Sequence, residues 1–181
     1  MTTLKEQFKT EVAPSLKEKL ALGNLLQVPS PEKITINVGL SSKQDPKFIE
    51  TIMETLRRIS GQEPVKTLAR KSESGFKIRE GMVIGAKVTL RGPRLWNFMD
   101  KLVHVVFPRV RDFRGIEEKA IDRAGNFSYG FKEHIAFPEI SADEIDTLHG
   151  LQVTITTTAS TKEEGLALFK ALGFPFKKKD N

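Results

Sequence analysis

Residues 64–92, PVKTLARKSESGFKIREGMVIGAKVTLRG, constrain the fold more than any other stretch of the chain. Val83 to Leu90 alternates apolar and polar residues, which predicts a strand buried on one side, and Pro64 to Arg70 predicts its partner. The connection between them far exceeds the roughly two to five residues of an ordinary hairpin turn, a length that usually marks a functional loop. It carries Arg70, Lys71, Lys77 and Arg79 around a Ser/Gly tip with a single ring, Phe76. A loop so charged stays in water, where it suits phosphates and a stacked base. On these residues alone a solvated hairpin remains the other reading.

The rest of the chain supplies a sheet and helices to hold that hairpin. Leu4, Phe8 and Val12 share one helical face, and Pro14 is expected to break that helix or start a second one reaching Leu22-Gly23. Lys33 to Gly39 sets Ile34, Ile36 and Val38 on one side of a strand and Thr35 and Asn37 on the other. Asp45-Pro46 opens a helix whose buried stripe is Ile49, Ile52, Met53, Leu56 and Ile59, and Gly61 closes it. Pro93 to Val106 predicts the next helix, ended by Pro108 and followed by the exposed basic turn PRVRDFRG. A strand over Asn126–Ala136, an acidic helix over Ser141–Leu148 and a strand over Gly150–Thr158 follow. Thr161 and Glu164 form a capping box for a last helix. This irregular interleaving, with one clear hairpin, predicts an α+β fold, a single domain over 1–181. Its antiparallel sheet has helices packed on one face and a long basic hairpin loop. The open face would then show Asn37, Lys87, Thr89, Thr154 and Thr156, a platform for a nucleic-acid backbone or, equally, a solvated surface.

Charge is unevenly placed. Residues 64–114 hold 12 Lys/Arg against 4 Asp/Glu, and residues 115–164 hold 4 against 10. Such halves suggest a polyanionic partner and a cationic one. There is no cysteine, which excludes disulfide and thiol chemistry and fits a reducing compartment. The N-terminus is a charged helical pattern rather than a signal peptide, and no apolar run approaches the roughly 18 residues of a membrane span, so a cytoplasmic protein with no membrane partner is expected. His104, His134 and His149 fall at unrelated spacings, so no metal site is expected. None of the common nucleotide-binding, metalloprotease or hydrolase motifs occurs, and Glu117-Glu118 and Asp143-Glu144-Asp146 lie on polar segments with nothing to desolvate them. No catalytic residue and no cofactor are expected.

Several motifs in succession then make the chain recognisable. They are QVPSPEKITINVG at 27–39, ISGQEPVKTLARKS at 59–72, GFKIREG at 75–81, IGAKVTLRG at 84–92, PRVRDFRG at 108–115, GNFSYG at 125–130, FPEI at 137–140, TITTTA at 154–159 and FPF at 174–176. With these the chain resembles, nearly end to end, the bacterial large-subunit ribosomal protein five family. The resemblance implies an antiparallel sheet with helices on one side and a role in attaching 5S rRNA in the central protuberance. The implied 5S rRNA contacts fall on Asn37, Gln62, Lys66, Lys87, Thr89 and Arg91. The hairpin loop would meet P-site tRNA through Arg70, Lys71, Ser72, Phe76, Lys77 and Arg79. An intersubunit bridge to small-subunit ribosomal protein thirteen, which is basic, would use Arg111, Asp112, Arg114, Asp143 and Glu144. Large-subunit rRNA and other 5S rRNA-binding ribosomal proteins are the remaining implied partners. The chain departs from the family pattern at Glu73, Arg123 and His134. A free RNA-binding regulator with an open-sheet platform is the competing reading, although the sheet positions carry Thr and Lys rather than rings.

Overall fold

The computed structural model of the chain describes residues 3–41, 45–140 and 148–177. Five strands, β1 (Pro31–Gly39), β2 (Val65–Leu68), β3 (Val83–Leu90), β4 (Phe127–Phe131) and β5 (Leu151–Thr157), form one antiparallel sheet in the order β2-β3-β1-β5-β4. The fold is α+β. It divides into two compact units, one of Met1–Ile34, Arg91–Tyr129 and Thr154–Asn181, the other of Thr35–Leu90 and Gly130–Val153.

The second unit carries the hairpin. Helix α3 (Pro46–Ser60) starts with Asp45 as N-cap and proline in its first turn, and ends on Gly61, whose φ of 64° is the left-handed geometry glycine adopts freely. Its stripe Ile52, Leu56 and Ile59 is buried, as are Ala86, Val88 and Leu90 of β3, against which the helix packs. Each of these Leu and Ile side chains contributes about 2 kcal/mol by leaving water. The same period-two rule buries Ile36 and Val38 of β1. Gly85 is required on packing grounds. A Cβ there would lie 2.7 Å from both Thr67 Oγ1 and the Val38 carbonyl, so only glycine lets the neighbouring chain segments approach this closely.

In the first unit Pro14 stands at the start of a second helical segment, one of its two expected roles, and the helix expected to end at Pro108 runs one residue past it, to Arg109. Helix α1 (Leu4–Gln7) runs through a π-helical turn, Phe8–Val12, into α2 (Ala13–Lys19). Likewise α4 (Pro93–Lys101) runs through a π-helical turn, Leu102–Val106, into α5 (Phe107–Arg109). A proline inside a helix lacks an N–H and crowds the carbonyl four residues earlier. In both helices the residue just before the proline donates five residues back instead: Ala13 N–H to Phe8, and Phe107 N–H to Leu102. The widened turn makes room for the ring, and the backbone stays right-handed helical across the proline.

The aromatic core of this unit is Phe107, Phe127, Phe169 and Phe174, with ring centroids 5.0–5.9 Å apart in edge and tilted arrangements. Helix α6 (Lys162–Ala171) begins with the expected capping box, Thr161 Oγ1 accepting from the Glu164 N–H and the Glu164 carboxylate accepting from the Thr161 N–H. Strand β4 is shorter than the sequence suggested. After Phe131 the chain turns into a short 3-10 segment, His134–Ala136, instead of continuing as a strand to Ala136.

Candidate nucleic-acid interface

The register of the hairpin strands decides which side chains share a face. β2 and β3 pair Val65 with Lys87, Lys66 with Ala86, Thr67 with Gly85 and Leu68 with Val83, with an irregularity between Thr67 and Leu68. Lys87 therefore stands on the open face beside Val65, which is 61% exposed, and Thr89 lies on that same face. Asn37 is placed likewise, between the buried Ile36 and Val38 on β1, the strand next to β3. Among the described residues nothing hydrogen-bonds to the Asn37 side-chain amide. Lys66 differs. Opposite the buried Ala86, it points to the other face of the edge strand, so the structure does not bring it together with Lys87. Sequence alternation could not show this without the register.

Gln62 has a second employment. Its Nε2 donates to the Thr89 carbonyl at 3.1 Å, and its own carbonyl accepts from Ser60 Oγ at 3.0 Å. The side chain thus ties the end of α3 to β3 while its amide stays half-buried. Arg91 is exposed just beyond β3.

Beyond the strands the loop keeps backbone order. Ala69 N–H donates to Met82 and Gly81 N–H to Ala69, closing its base at 2.8 and 3.0 Å. Glu73 and Ile78 exchange both backbone bonds, at 2.8 and 3.0 Å, around the 3-10 turn Ser74–Phe76, with Lys77 left-handed at φ 55°. Ser72 Oγ accepts from the Glu80 N–H at 2.9 Å, so this hydroxyl supports the loop from within. Phe76 is 72% exposed at the tip. Arg70, Lys71, Lys77 and Arg79 are exposed and have no ion-pair partner among the described residues.

Arg111, Asp112 and Arg114 are exposed on the turn that follows α5, in the other unit. Asp143 and Glu144 lie outside the described residues. Nearby carboxylates are engaged locally: Glu117 pairs with Lys119 and, at 3.0 Å, with Lys177, and Glu118 pairs with Lys170 at 3.1 Å. Hydrogen bonds from Lys119 and Lys177 hold the Glu117 carboxyl down to about 2.

No cluster of three or more metal-ligating side chains occurs among the described residues. His104 pairs with Asp100 at 3.1 Å on an exposed helix face. His134 and His149 stack with centroids 4.1 Å apart and planes within 8°. His134 N–H donates to the His149 carbonyl at 3.1 Å, and Phe48 meets His149 edge-on at 6.3 Å. Burial, and then the adjacent His134, push His149 down to about 4, and its Nε2 is buried without a partner among the described residues. No helix among them is long and apolar enough to cross a membrane.

A family model described as Ribosomal protein L5 matches residues 24–79, and a second model, for the C-terminus of the same ribosomal protein family, matches residues 83–176. The large ribosomal subunit protein uL5 of Halothermothrix orenii is 49% identical over 177 residues, covering 97% of this chain and 99% of that protein. The chain belongs to the ribosomal protein L5 family. It is accordingly a structural constituent of the large ribosomal subunit, associated with ribosomal RNA in the cytoplasmic ribosome, and not an enzyme.

Arg123 and His134, which the sequence reading marked as departures from the family pattern, have structural accounts. Arg123 fits its turn without strain, because the left-handed position there is Gly125 at φ 78°. His134 gains the stack on His149. The turn itself holds residues the sequence reading missed. Asp122 Oδ1 accepts from the Ala124 and Asn126 N–H groups at 2.9 and 2.8 Å, and Asn126 Oδ1 accepts from the Thr157 N–H at 3.0 Å. Burial raises the Asp122 carboxyl, but hydrogen bonds from the Asn126 side-chain amide and from the Asn126 and Ala124 N–H groups outweigh it and hold the group below its ordinary value. The spacing Asp-x-x-Gly-Asn was the available signal.

Proposed function

We propose that this L5-family protein attaches 5S rRNA through the open sheet face of its second unit, and that its hairpin loop steadies P-site tRNA. The observation that carries the first part is the Asn37 amide. It lies on the face shared by Lys87 and Thr89, with no hydrogen-bond partner among the described residues, where a nucleotide edge or phosphate can take it up. Val65 and the Lys87 stem add apolar contact beside it. Gln62 joins this surface mainly by fixing the Thr89 backbone, and Lys66 would contribute charge from the strand edge.

The loop is a separate element of the same unit. Four exposed cations, Arg70, Lys71, Lys77 and Arg79, surround an exposed ring on a tip whose backbone is already hydrogen-bonded, which favours phosphate contacts with one stacking contact. Other 5S rRNA-binding ribosomal proteins and large-subunit rRNA would be its neighbours. A bridge to small-subunit ribosomal protein thirteen would draw on the acidic residues Asp143 and Glu144. A salt titration of 5S rRNA binding tests the central claim. With about five phosphates neutralised, log K should fall against log salt with a slope near −4. A flat response, or equal affinity for an unrelated structured RNA, would overturn it.

A further inference from the structure

The loop between β2 and β3 is held at three levels, and the middle one depends on a side chain. At the base Ala69 N–H donates to the Met82 carbonyl and Gly81 N–H to the Ala69 carbonyl. Near the tip Glu73 and Ile78 exchange both backbone bonds, and Lys77 N–H donates to the Ser74 carbonyl at 3.1 Å, closing the turn with Lys77 left-handed. Between these levels Arg79 N–H stays on its own arm, donating to Met82 Sδ at 3.2 Å. Among the described residues one hydrogen bond crosses the loop there, from the Glu80 N–H to Ser72 Oγ at 2.9 Å.

That bond stands where the charge is concentrated. Arg70 and Lys71 precede Ser72 on one arm, and Lys77 and Arg79 precede Glu80 on the other. All four cations are exposed and have no ion-pair partner among the described residues. Glu73 and Glu80, one on each arm, offset only half of this charge. The remaining repulsion works to splay the arms. A splayed loop has to be gathered before its cations can meet a row of phosphates, and that ordering weakens binding. Alanine at position 72 would take away the acceptor of the Glu80 N–H while leaving every charge in place, whereas threonine would keep a hydroxyl there.

We propose that Ser72 is a positioning residue of this loop. By accepting the Glu80 N–H, its hydroxyl holds the two cationic arms at one spacing, so that the loop meets the phosphates of tRNA already ordered. The proposal rests on the reading of the loop as the tRNA contact. The test compares full-length wild type, Ser72→Ala, Ser72→Thr and the chain shortened between Arg70 and Arg79. Position 72 is exposed and outside the strands, so the fold survives either substitution. In the free protein the Glu80 amide should exchange its hydrogen about fivefold faster in Ser72→Ala, and Ser72→Thr should restore the protection. On ribosomes reconstituted with each variant, Ser72→Ala should release tRNA about fivefold faster, and Ser72→Thr at close to the wild-type rate. The salt dependence of release should match wild type in both, because no cation is lost. Wild-type exchange of the Glu80 amide in Ser72→Ala overturns the proposal, and faster tRNA release beside it would make the hydroxyl a direct contact instead. Wild-type release from Ser72→Ala, when the shortened loop releases faster, overturns it as well. The tRNA reading fails on a different result, wild-type release from the shortened loop, and the Glu80 exchange then still decides whether Ser72 orders the arms.

Discussion

Replacing His149 with Phe removes the one described group that burial holds furthest below its ordinary titration range while keeping a ring against His134 and Phe48. In the folded chain His149 titrates near 4 against an ordinary 6.5, because burial and the neighbouring His134 disfavour the charged ring. A folded value below the unfolded one means that the unfolded chain takes up the proton first. Stability is therefore full above pH 6.5, falls as the pH drops from 6.5 towards 4, and levels off below. At pH 5 the linkage amounts to about 2 kcal/mol for a fully shielded ring, and solvent reaching the rim of the stack brings it nearer 1 kcal/mol. Protonation would also force a charge onto the buried Nε2, which has no partner among the described residues.

The assay is urea unfolding of wild type and His149→Phe at half-unit steps from pH 7.5 to 5. This range stays above the titration of the carboxylates that ion pairs hold low, such as Glu54, lowered by Arg58 and Arg57, and Glu117. The wild type should lose about 1–2 kcal/mol more than the variant across the range. A proton NMR titration of the His149 ring should give a midpoint near 4. Parallel stability curves for the two proteins, or a midpoint near 6.5, would refute the account of the stack.

Three further predictions concern RNA contacts and packing. Asn37→Ala should leave the melting temperature nearly unchanged and cost about 1–3 kcal/mol of 5S rRNA affinity in a filter-binding titration; a destabilised variant with normal RNA binding would show a structural amide. Shortening the loop between Arg70 and Arg79 should spare the fold and 5S rRNA binding but speed tRNA dissociation from reconstituted ribosomes, whereas Glu73→Ala, by removing a carboxylate facing phosphate, should slow it modestly. Gly165→Ala should destabilise the chain in thermal melts although alanine is the better helix former by about 1 kcal/mol, because its Cβ would fall 2.4 Å from the Gly125 carbonyl oxygen and 2.5 Å from its Cα; a raised melting temperature would show that the two segments separate cheaply.

Local rules carried the sequence reading as far as they reach. The alternation of Ile34, Ile36 and Val38, the Asp45-Pro46 start, the Gly61 stop and the Thr161/Glu164 box are each decided within a few residues, and each stands in the fold as read. The misses were decided by partners distant in sequence or by unusual hydrogen bonding. Nothing in VKTL tells which neighbour Lys66 faces; that follows from its pairing with Ala86. Pro14 read as a break or a restart and Pro108 as a stop because the rule assumes bonds four residues back, and the π-helical turns supply a bond five back. The strand over 126–136 ended early because the His134 N–H turns to the His149 carbonyl and the two rings stack, a contact between residues fifteen apart in sequence.

The charge halves seen in the sequence divide differently once partners are known. Of the twelve Lys and Arg in residues 64–114, the side chains of all but Arg94 and Lys101 lack a charged, hydrogen-bonding or ring partner among the described residues. The acids of 115–164 behave otherwise: Glu117 and Glu118 hold lysines, Asp122 builds the turn before β4, and Glu164 caps α6. Much of the negative half is thus neutralised or hydrogen-bonded inside its own unit, and an excess of acids in sequence need not become a field at the surface. The positive half has no such internal outlet. Its unpaired cations stand on the hairpin strands, on the hairpin loop and on the turn after α5, three supports that each keep charge in solvent. The acids left for a cationic partner would be Glu133, Glu163 and those at 143, 144 and 146 rather than the whole block. Neutralising Asp143 and Glu144 together should then weaken subunit joining at low salt without altering 5S rRNA binding, as measured by sedimentation of reconstituted ribosomes. A defect of the same size from neutralising Glu117 and Glu118 would mean that their ion pairs open at the interface, and that the internal neutralisation argued here does not survive in the ribosome.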